Sequence, residues 1–213
     1  MHFISEELEE YVAQHSGNEP ELLALLNKET HQKILQPRML SGHFQGRVLS
    51  MLSKLVKPRH ILEIGTYTGY ATLCLAEGLQ EGGTLDTIDN NEELADFQKK
   101  YFDRSEWKGQ IIQHLGNALD IIPQLNKKFD LVFIDADKEN YINYFHMVLP
   151  MMNRGGIILS DNVLWSGKVI EPVKQNDKST LVLLEYNKLL KDDPRVETVL
   201  LPVRDGLTVS RVV

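Results

Sequence analysis

Ile61-Leu62-Glu63-Ile64-Gly65-Thr66-Tyr67-Thr68-Gly69-Tyr70 joins an apolar run, a glycine-bearing turn and the opening of a helical pattern. The run reads as a strand buried on both faces, and the turn that follows such a strand is where an open α/β sheet takes its ligands. Working outward, the same rhythm of short apolar run, turn and helical spacing recurs along the chain, which argues for a parallel sheet. The predicted strands are His60 to Gly65, Thr84 to Asp89, Gln110 to Leu115, Phe129 to Asp135 and Gly156 to Asp161. Between them, Tyr70 to Leu79, Glu92 to Phe102, Ala118 to Leu125 and Glu139 to Met151 carry apolar residues at helical spacing.

Past Asn162 the rhythm changes to a loop through Trp165 and Gly167, a helix from Ser179 to Leu190, and strands Val196 to Val203 and Leu207 to Val213. The link Arg204-Asp205-Gly206 is short enough for a hairpin, so the sheet should end in an antiparallel pair. Before Leu62 the pattern gives helices near Ser5 to His15, Glu19 to Gln36 and Gly42 to Val56, with no Pro/Gly/Ser linker behind them. The expected architecture is a Rossmann-like α/β fold. Its seven-stranded, mostly parallel sheet ends in an antiparallel hairpin, with helices on both faces and a helical layer at the N-terminus. One domain is expected over 1–213, with 1–58 as a lid or interface layer and 59–213 as the sheet core.

The 213 residues suit one α/β domain, and a hydrophobic share of 42% with 25% charged residues is that of a globular protein. With 30 acidic against 23 basic residues the net charge is -7, which repels nucleic acid and anionic membranes and favours small-molecule partners. Cys74 is the single cysteine, set in an apolar run, and reads as a small buried hydrophobe in a reducing compartment. The start, Met-His-Phe-Ile-Ser, lacks the basic and apolar regions of a signal peptide, and no apolar run reaches spanning length. A cytoplasmic protein is expected. His2, His15, His31, His43, His60, His114 and His146 show no metal-ligand pairing and receive no chemistry.

Gly65 and Gly69 let the backbone approach a ligand, yet the glycine spacing is not that of a pyrophosphate fingerprint, and Glu63 stands on the strand end. A diphosphate is repelled by that acid, whereas an α-amino group is welcomed. Asp89 ends the second strand, where a carboxylate can accept from the hydroxyls of a ribose, although alone it reads better as a turn or N-cap acid ahead of the next helix. Together these features predict a nucleoside bearing an amino acid, namely S-adenosylmethionine.

The fourth and fifth strands end in Asp135 and in Asp161-Asn162. As neighbours in a doubly wound sheet they would bring three hard oxygen donors together, suited to Mg²⁺, with Ca²⁺ or Mn²⁺ as alternatives. Acids after strands commonly just cap helices and form turns; two such ends side by side weaken that reading. Lys138, three residues past a metal ligand, can reach the same oxygen and act as a base if the metal is there. Asp137 should point elsewhere or act from outside the ligand set. Trp165 and Tyr141 are candidates for a pocket wall, with ordinary packing equally open. Arg38, Lys168 or Arg204 could meet an acidic substrate tail.

The chain resembles the metal-dependent O-methyltransferase family that includes the catechol and caffeoyl-CoA O-methyltransferases. The resemblance covers nearly the whole chain. It rests on Arg38-Met39-Leu40-Ser41-Gly42, Glu63 to Tyr70, Asp120-Ile121-Ile122-Pro123-Gln124-Leu125, Phe133-Ile134-Asp135-Ala136-Asp137-Lys138 and Asp161-Asn162-Val163-Leu164-Trp165. It implies Asp135, Asp161 and Asn162 as metal ligands and Lys138 as general base. It also implies cofactor contacts from Met39, Ser41, Glu63, Gly65, Tyr67, Asp89, Ala118 and Asp135, and a homodimer. Ala71 and Ala118 stand where the catechol enzyme has serines, and Asp137 where it has an aromatic residue.

The expected reaction moves a methyl group from S-adenosylmethionine to a hydroxyl of a small aromatic vicinal diol held on the metal, with Asp135 and Lys138 at the reacting centre. One alternative is a Mg²⁺-dependent phosphatase or phosphotransferase using the Asp135-Ala136-Asp137 loop, although such a loop normally follows the first strand. Others are a non-catalytic nucleotide-binding module and, more weakly, an NAD-dependent dehydrogenase.

Overall fold

A computed structural model describes residues 5–174 and 176–213, so the start of the chain from Met1 to Ile4, with His2, lies outside the described residues. In chain order the helices and strands are α1 (Glu6–Gln14), α2 (Glu21–Lys33), α3 (Gly42–Val56), β1 (His60–Ile64), α4 (Tyr70–Ala76), β2 (Thr84–Asp89), α5 (Ala95–Phe102) and β3 (Ile111–Leu115). There follow α6 (Ala118–Ile121), β4 (Phe129–Ile134), α7 (Tyr141–Val148), β5 (Met152–Asp161), α8 (Lys178–Asp192), β6 (Val196–Leu201) and β7 (Leu207–Val212).

The strands form one seven-stranded sheet in the order β3-β2-β1-β4-β5-β7-β6. The first five strands of that order pair in parallel. The last two are antiparallel, with β7 lying between β5 and β6. This is the predicted architecture, including the closing hairpin. β1 pairs with β2 on one side and β4 on the other, so the strand order reverses beside β1 and leaves a crevice at the carboxyl ends. The glycine turn after β1 sits at that crevice.

Alternation along the strands splits the core in two. Leu62, Ile64, Val132, Ile134 and Ile158 face α7 and α8, where they join Phe145, Val148, Leu183 and Tyr186. Ile61, Leu131, Phe133 and Leu159 face the other way, joining Leu23, Leu26 and Leu49 of the N-terminal helices and Leu73 and Leu75 of α4. The helices before β1 therefore complete the core of one sheet face.

Two predicted helices break where the sequence contains proline. Pro123 turns the end of α6 into a 3-10 turn, Ile122–Gln124, and Pro150 does the same after α7, Leu149–Met151; proline cannot supply the N–H an α-helix needs. β5 begins earlier than expected, at Met152, because a register shift against β4 accommodates extra residues between Met152 and Ile157. Among the described residues no helix is long and apolar enough to cross a membrane.

Candidate active site

Gly65 leaves β1 with φ of 99°, a conformation that glycine adopts without a Cβ penalty. Its N–H donates to the Ile88 carbonyl at 2.9 Å, while the Asp135 N–H donates to the Ile64 carbonyl at 2.8 Å. A Cβ on Gly65 would drive into the Asp135 carbonyl. The turn is fixed from β2 by Asp89. Its Oδ2 accepts from the Thr66 N–H at 3.1 Å and the Tyr67 N–H at 2.7 Å, and its Oδ1 from the Asn91 N–H at 2.8 Å. Asp89 thus shapes the loop; a carboxylate offers about four acceptor sites, so capacity remains for another donor.

Glu63 lies on the face of β1 that also carries Ile61, at a position the alternation assigns to the core, and it is fully buried. Its Oε2 accepts from Thr72 Oγ1 and Thr87 Oγ1, each at 2.5 Å. Its Oε1 is buried and has no partner among the described residues. Loss of solvent pushes the carboxyl up to about 8. An unpaired oxygen behind a glycine turn fits an incoming ammonium, which supplies both the missing hydrogen bond and the counter-charge.

Met39, Ser41, Gly65, Tyr67 and Asp135 line one cleft with Thr68 and Ala71, so five of the residues expected at a cofactor come together. Ala118 opens α6 outside this lining; the Gly116 N–H donates to the Asp89 carbonyl at 2.8 Å and keeps that turn beside β2. Tyr67 anchors the N-terminal layer through its hydroxyl, which donates to the Gln36 carbonyl at 2.8 Å. Thr68, missed from sequence, has a buried hydroxyl without a partner among the described residues.

Ile134 and Ser160 are register partners of β4 and β5, so Asp135 and Asp161 leave adjacent strands at the same level. Asp161 is 2% exposed. Its Oδ2 accepts from Gln45 Nε2 at 2.6 Å and its Oδ1 from the Asn162 N–H at 2.8 Å. Burial, then the nearby Asp135 charge, raises its carboxyl above the usual range. Asn162 is left-handed at φ of 58°. Among the described residues no group of three His, Cys, Asp or Glu side chains could hold a metal ion, so a cation here would need the Asn162 amide oxygen as third donor. The donor set is all oxygen, and a divalent cation would relieve the repulsion between the two acids.

Lys138 is 8% exposed and donates from Nζ to Asp135 Oδ1 at 3.2 Å and to the Tyr141 hydroxyl at 2.5 Å. That hydroxyl donates onward to the Asp161 carbonyl at 2.9 Å, with the Ile134 carbonyl at 3.2 Å. Tyr141 is fully buried in the core; it supports Lys138 from beneath and does not form a pocket wall. Trp165 lies on the other side, its ring centroid 6.0 Å from Lys138 Nζ. Asp137 is turned away, accepting from the Tyr144 hydroxyl and Asn140 Nδ2, each at 2.5 Å.

Two of the cations considered for an acidic tail are engaged elsewhere. Lys168 pairs with Asp177 at 3.3 Å, and Arg204 grips the N-terminal layer, donating to Gln45 Oε1 at 3.0 Å. Gln45 itself was not found from sequence; the available signal was a glutamine on the inward stripe of α3, one turn before Leu49. Cys74 is buried and its thiol pushed up to about 12 by loss of solvent, which leaves it a packing residue.

Known proteins resemble this chain in sequence and in fold. A family model described as O-methyltransferase matches residues 13–213. The chain is 34% identical to caffeoyl-CoA O-methyltransferase 1 of Arabidopsis thaliana, covering 97% of this chain and 85% of that protein. The crystal structure of an O-methyltransferase from Bacillus cereus in complex with SAH superposes with a TM-score of 0.90 at 30% identity, covering 97% of each chain. An O-methyltransferase from Streptomyces achromogenes involved in tomaymycin synthesis, solved with SAM, gives 0.89 at 28% identity over 97% of this chain and 96% of that one.

Proposed function

The chain belongs to the O-methyltransferase family, and from that premise we propose that it moves a methyl group from S-adenosylmethionine to one hydroxyl of a small aromatic vicinal diol, of catechol or caffeoyl type, beside a divalent cation. The observation that carries this reading is the double position of Asp135. It lines the cleft behind which Glu63 lies with an oxygen unpaired among the described residues, and it stands next to Asp161 and Lys138. A cofactor in the cleft and an acceptor at the oxygen donors would thus share one wall.

Glu63 would take the amino group, Asp89 the ribose, and Met39, Ser41, Gly65, Tyr67 and the Ala118 turn the remainder of the cofactor. Asp135, Asp161 and Asn162 would hold the cation, Mg²⁺ by the chemistry of the donors. When bound, the two groups supply a methyl on a good leaving group and a Lewis acid that favours the ionised acceptor hydroxyl. Lys138 Nζ takes the hydroxyl proton, held in place by Tyr141 and shielded from bulk water by burial. The protein's remaining task is alignment, which can contribute on the order of 7–11 kcal/mol.

The phosphotransferase alternative gains no support, because Asp137 faces Tyr144 and Asn140 instead of Asp135. Mass-spectrometric detection of methyl transfer to a panel of 1,2-dihydroxy aromatics tests the proposal. Product should vanish with a chelator and in Asp135→Ala, and Lys138→Met should lower kcat by about 10²–10⁴-fold. Product indifferent to chelator and to Asp135→Ala would overturn the cation role. The proposed assembly is a homodimer, which sedimentation showing only monomer at working concentration would contradict.

A further inference from the structure

Arg204, Gln45 and Asp161 form a continuous chain of contacts from the β6–β7 hairpin to the end of β5. Arg204 Nη1 donates to the carbonyls of Leu40, at 3.0 Å, and Ser41, and to Gln45 Oε1 at 3.0 Å. Gln45, 1% exposed on α3, donates from Nε2 to Asp161 Oδ2 at 2.6 Å.

The direction of this chain is dictated by chemistry. A guanidinium only donates and a carboxylate only accepts, so the amide between them has one satisfied orientation, oxygen to Arg204 and nitrogen to Asp161. A flipped amide would put donor against donor and acceptor against acceptor at a side chain that is itself buried. With Oδ1 taken by the Asn162 N–H, both carboxylate oxygens of Asp161 have a fixed partner. The plane of the carboxylate is therefore set by the protein before anything binds. The same guanidinium grips Leu40 and Ser41, which line the cofactor cleft.

We propose that Gln45 is a positioning residue that holds Asp161 in the orientation a divalent cation requires, and that Arg204 keeps the Gln45 amide from turning. This rests on the reading of Asp135, Asp161 and Asn162 as cation donors. Outer partners of metal ligands are typically worth about 10–100-fold in metal affinity, and Gln45 should fall in that range.

The test is Mn²⁺ binding, followed by the loss of the free-ion electron paramagnetic resonance signal, in the wild type, Asp135→Ala and Gln45→Met, the last matching glutamine in volume but unable to donate. S-adenosylhomocysteine binding without metal serves as the fold control. The expected result is binding in the wild type, none in Asp135→Ala, and about 10–100-fold weaker binding in Gln45→Met with the control retained. Wild-type affinity in Gln45→Met overturns the positioning role while leaving the donor reading intact. A wild type that takes up no Mn²⁺ overturns the donor reading and the role with it.

Should Gln45→Met fail the control, the wild-type chain labelled with ¹⁵N decides. The side-chain amide resonance of Gln45 should shift on addition of Mg²⁺ and saturate with the binding curve. A resonance that stays fixed while Mg²⁺ binds overturns the proposal.

Discussion

Glu63 is a carboxyl in a core position, and its energetics follow from that. With its carboxyl at about 8 in the folded chain and 4.5 as the ordinary value, the native state binds more protons than the unfolded state between those limits. Stability contributed by this group is therefore complete below the lower value and is lost as pH rises towards the upper one, at about 1.4 kcal/mol per unit. Urea unfolding between pH of about 5 and 8 should show the wild type losing stability relative to Glu63→Gln; parallel curves would remove the argument. Cofactor binding adds a second consequence. If the cofactor seats its ammonium at Oε1, as proposed, it favours the ionised carboxyl, so binding below pH of about 8 should release a proton in the wild type and none in Glu63→Gln, read by calorimetry in buffers of different ionisation enthalpy. Asp89, Asp135 and Asp161 were legible because each closes an apolar strand and strand ends in such a sheet converge, and Glu63 because it is an acid inside an apolar strand, two residues before the glycine turn. Gln45 was not, because its partner is 116 positions away and a lone glutamine on a helix has no motif.

At the scale of elements, the contact between α3 and α4 passes through Gly46. A Cβ there would stand 2.6 Å from Tyr70 Cε1 and 2.9 Å from Cys74 Sγ. Tyr70 has little room to yield, being 2% exposed with its hydroxyl bonded to Glu19 at 2.5 Å. Alanine gains up to about 1 kcal/mol in helix propensity over glycine, whereas overpacking a core typically costs about 1–3 kcal/mol. Gly46→Ala should thus lose on the order of 1–2 kcal/mol by urea unfolding, and a variant as stable as the wild type would show that α3 can shift. Such spacing of helices is invisible in sequence, where Gly46 is one glycine in an amphipathic stretch. Strands were more legible than helices: β2 fell on its predicted bounds, and although α3 did too, Pro123 and Pro150 shortened helices whose apolar spacing ran straight through them. The early start of β5 was hidden because Met152 to Gly156 lacks strand alternation and is held by pairing with β4.

For the whole molecule, the decisive feature is that the N-terminal helices share a hydrophobic cluster with the sheet. Leu23, Leu26, Leu40 and Leu49 are buried against Ile61, Leu131 and Leu207, so peeling the layer away would expose one face of the core. Each buried leucine contributes about 1.5–3 kcal/mol, so the four leucines of the layer together are worth about as much as the typical net stability of a domain, about 5–15 kcal/mol. Layer and sheet should therefore unfold together. Trp107 packs against the cluster on this face and Trp165 against the one on the other, which supplies a probe for each. Thermal unfolding followed by fluorescence in Trp107→Phe and in Trp165→Phe should give midpoints that match each variant's own far-UV circular dichroism. S-adenosylhomocysteine at about 100 times its Kd adds roughly 2.7 kcal/mol, which at about 2–4 °C per kcal/mol for a chain of this size should raise the midpoint by about 5–11 °C on both faces. A transition that splits, with the Trp107 face melting first and the ligand moving only that step, would make the N-terminal layer a separate lid closing on the sheet instead of part of its core.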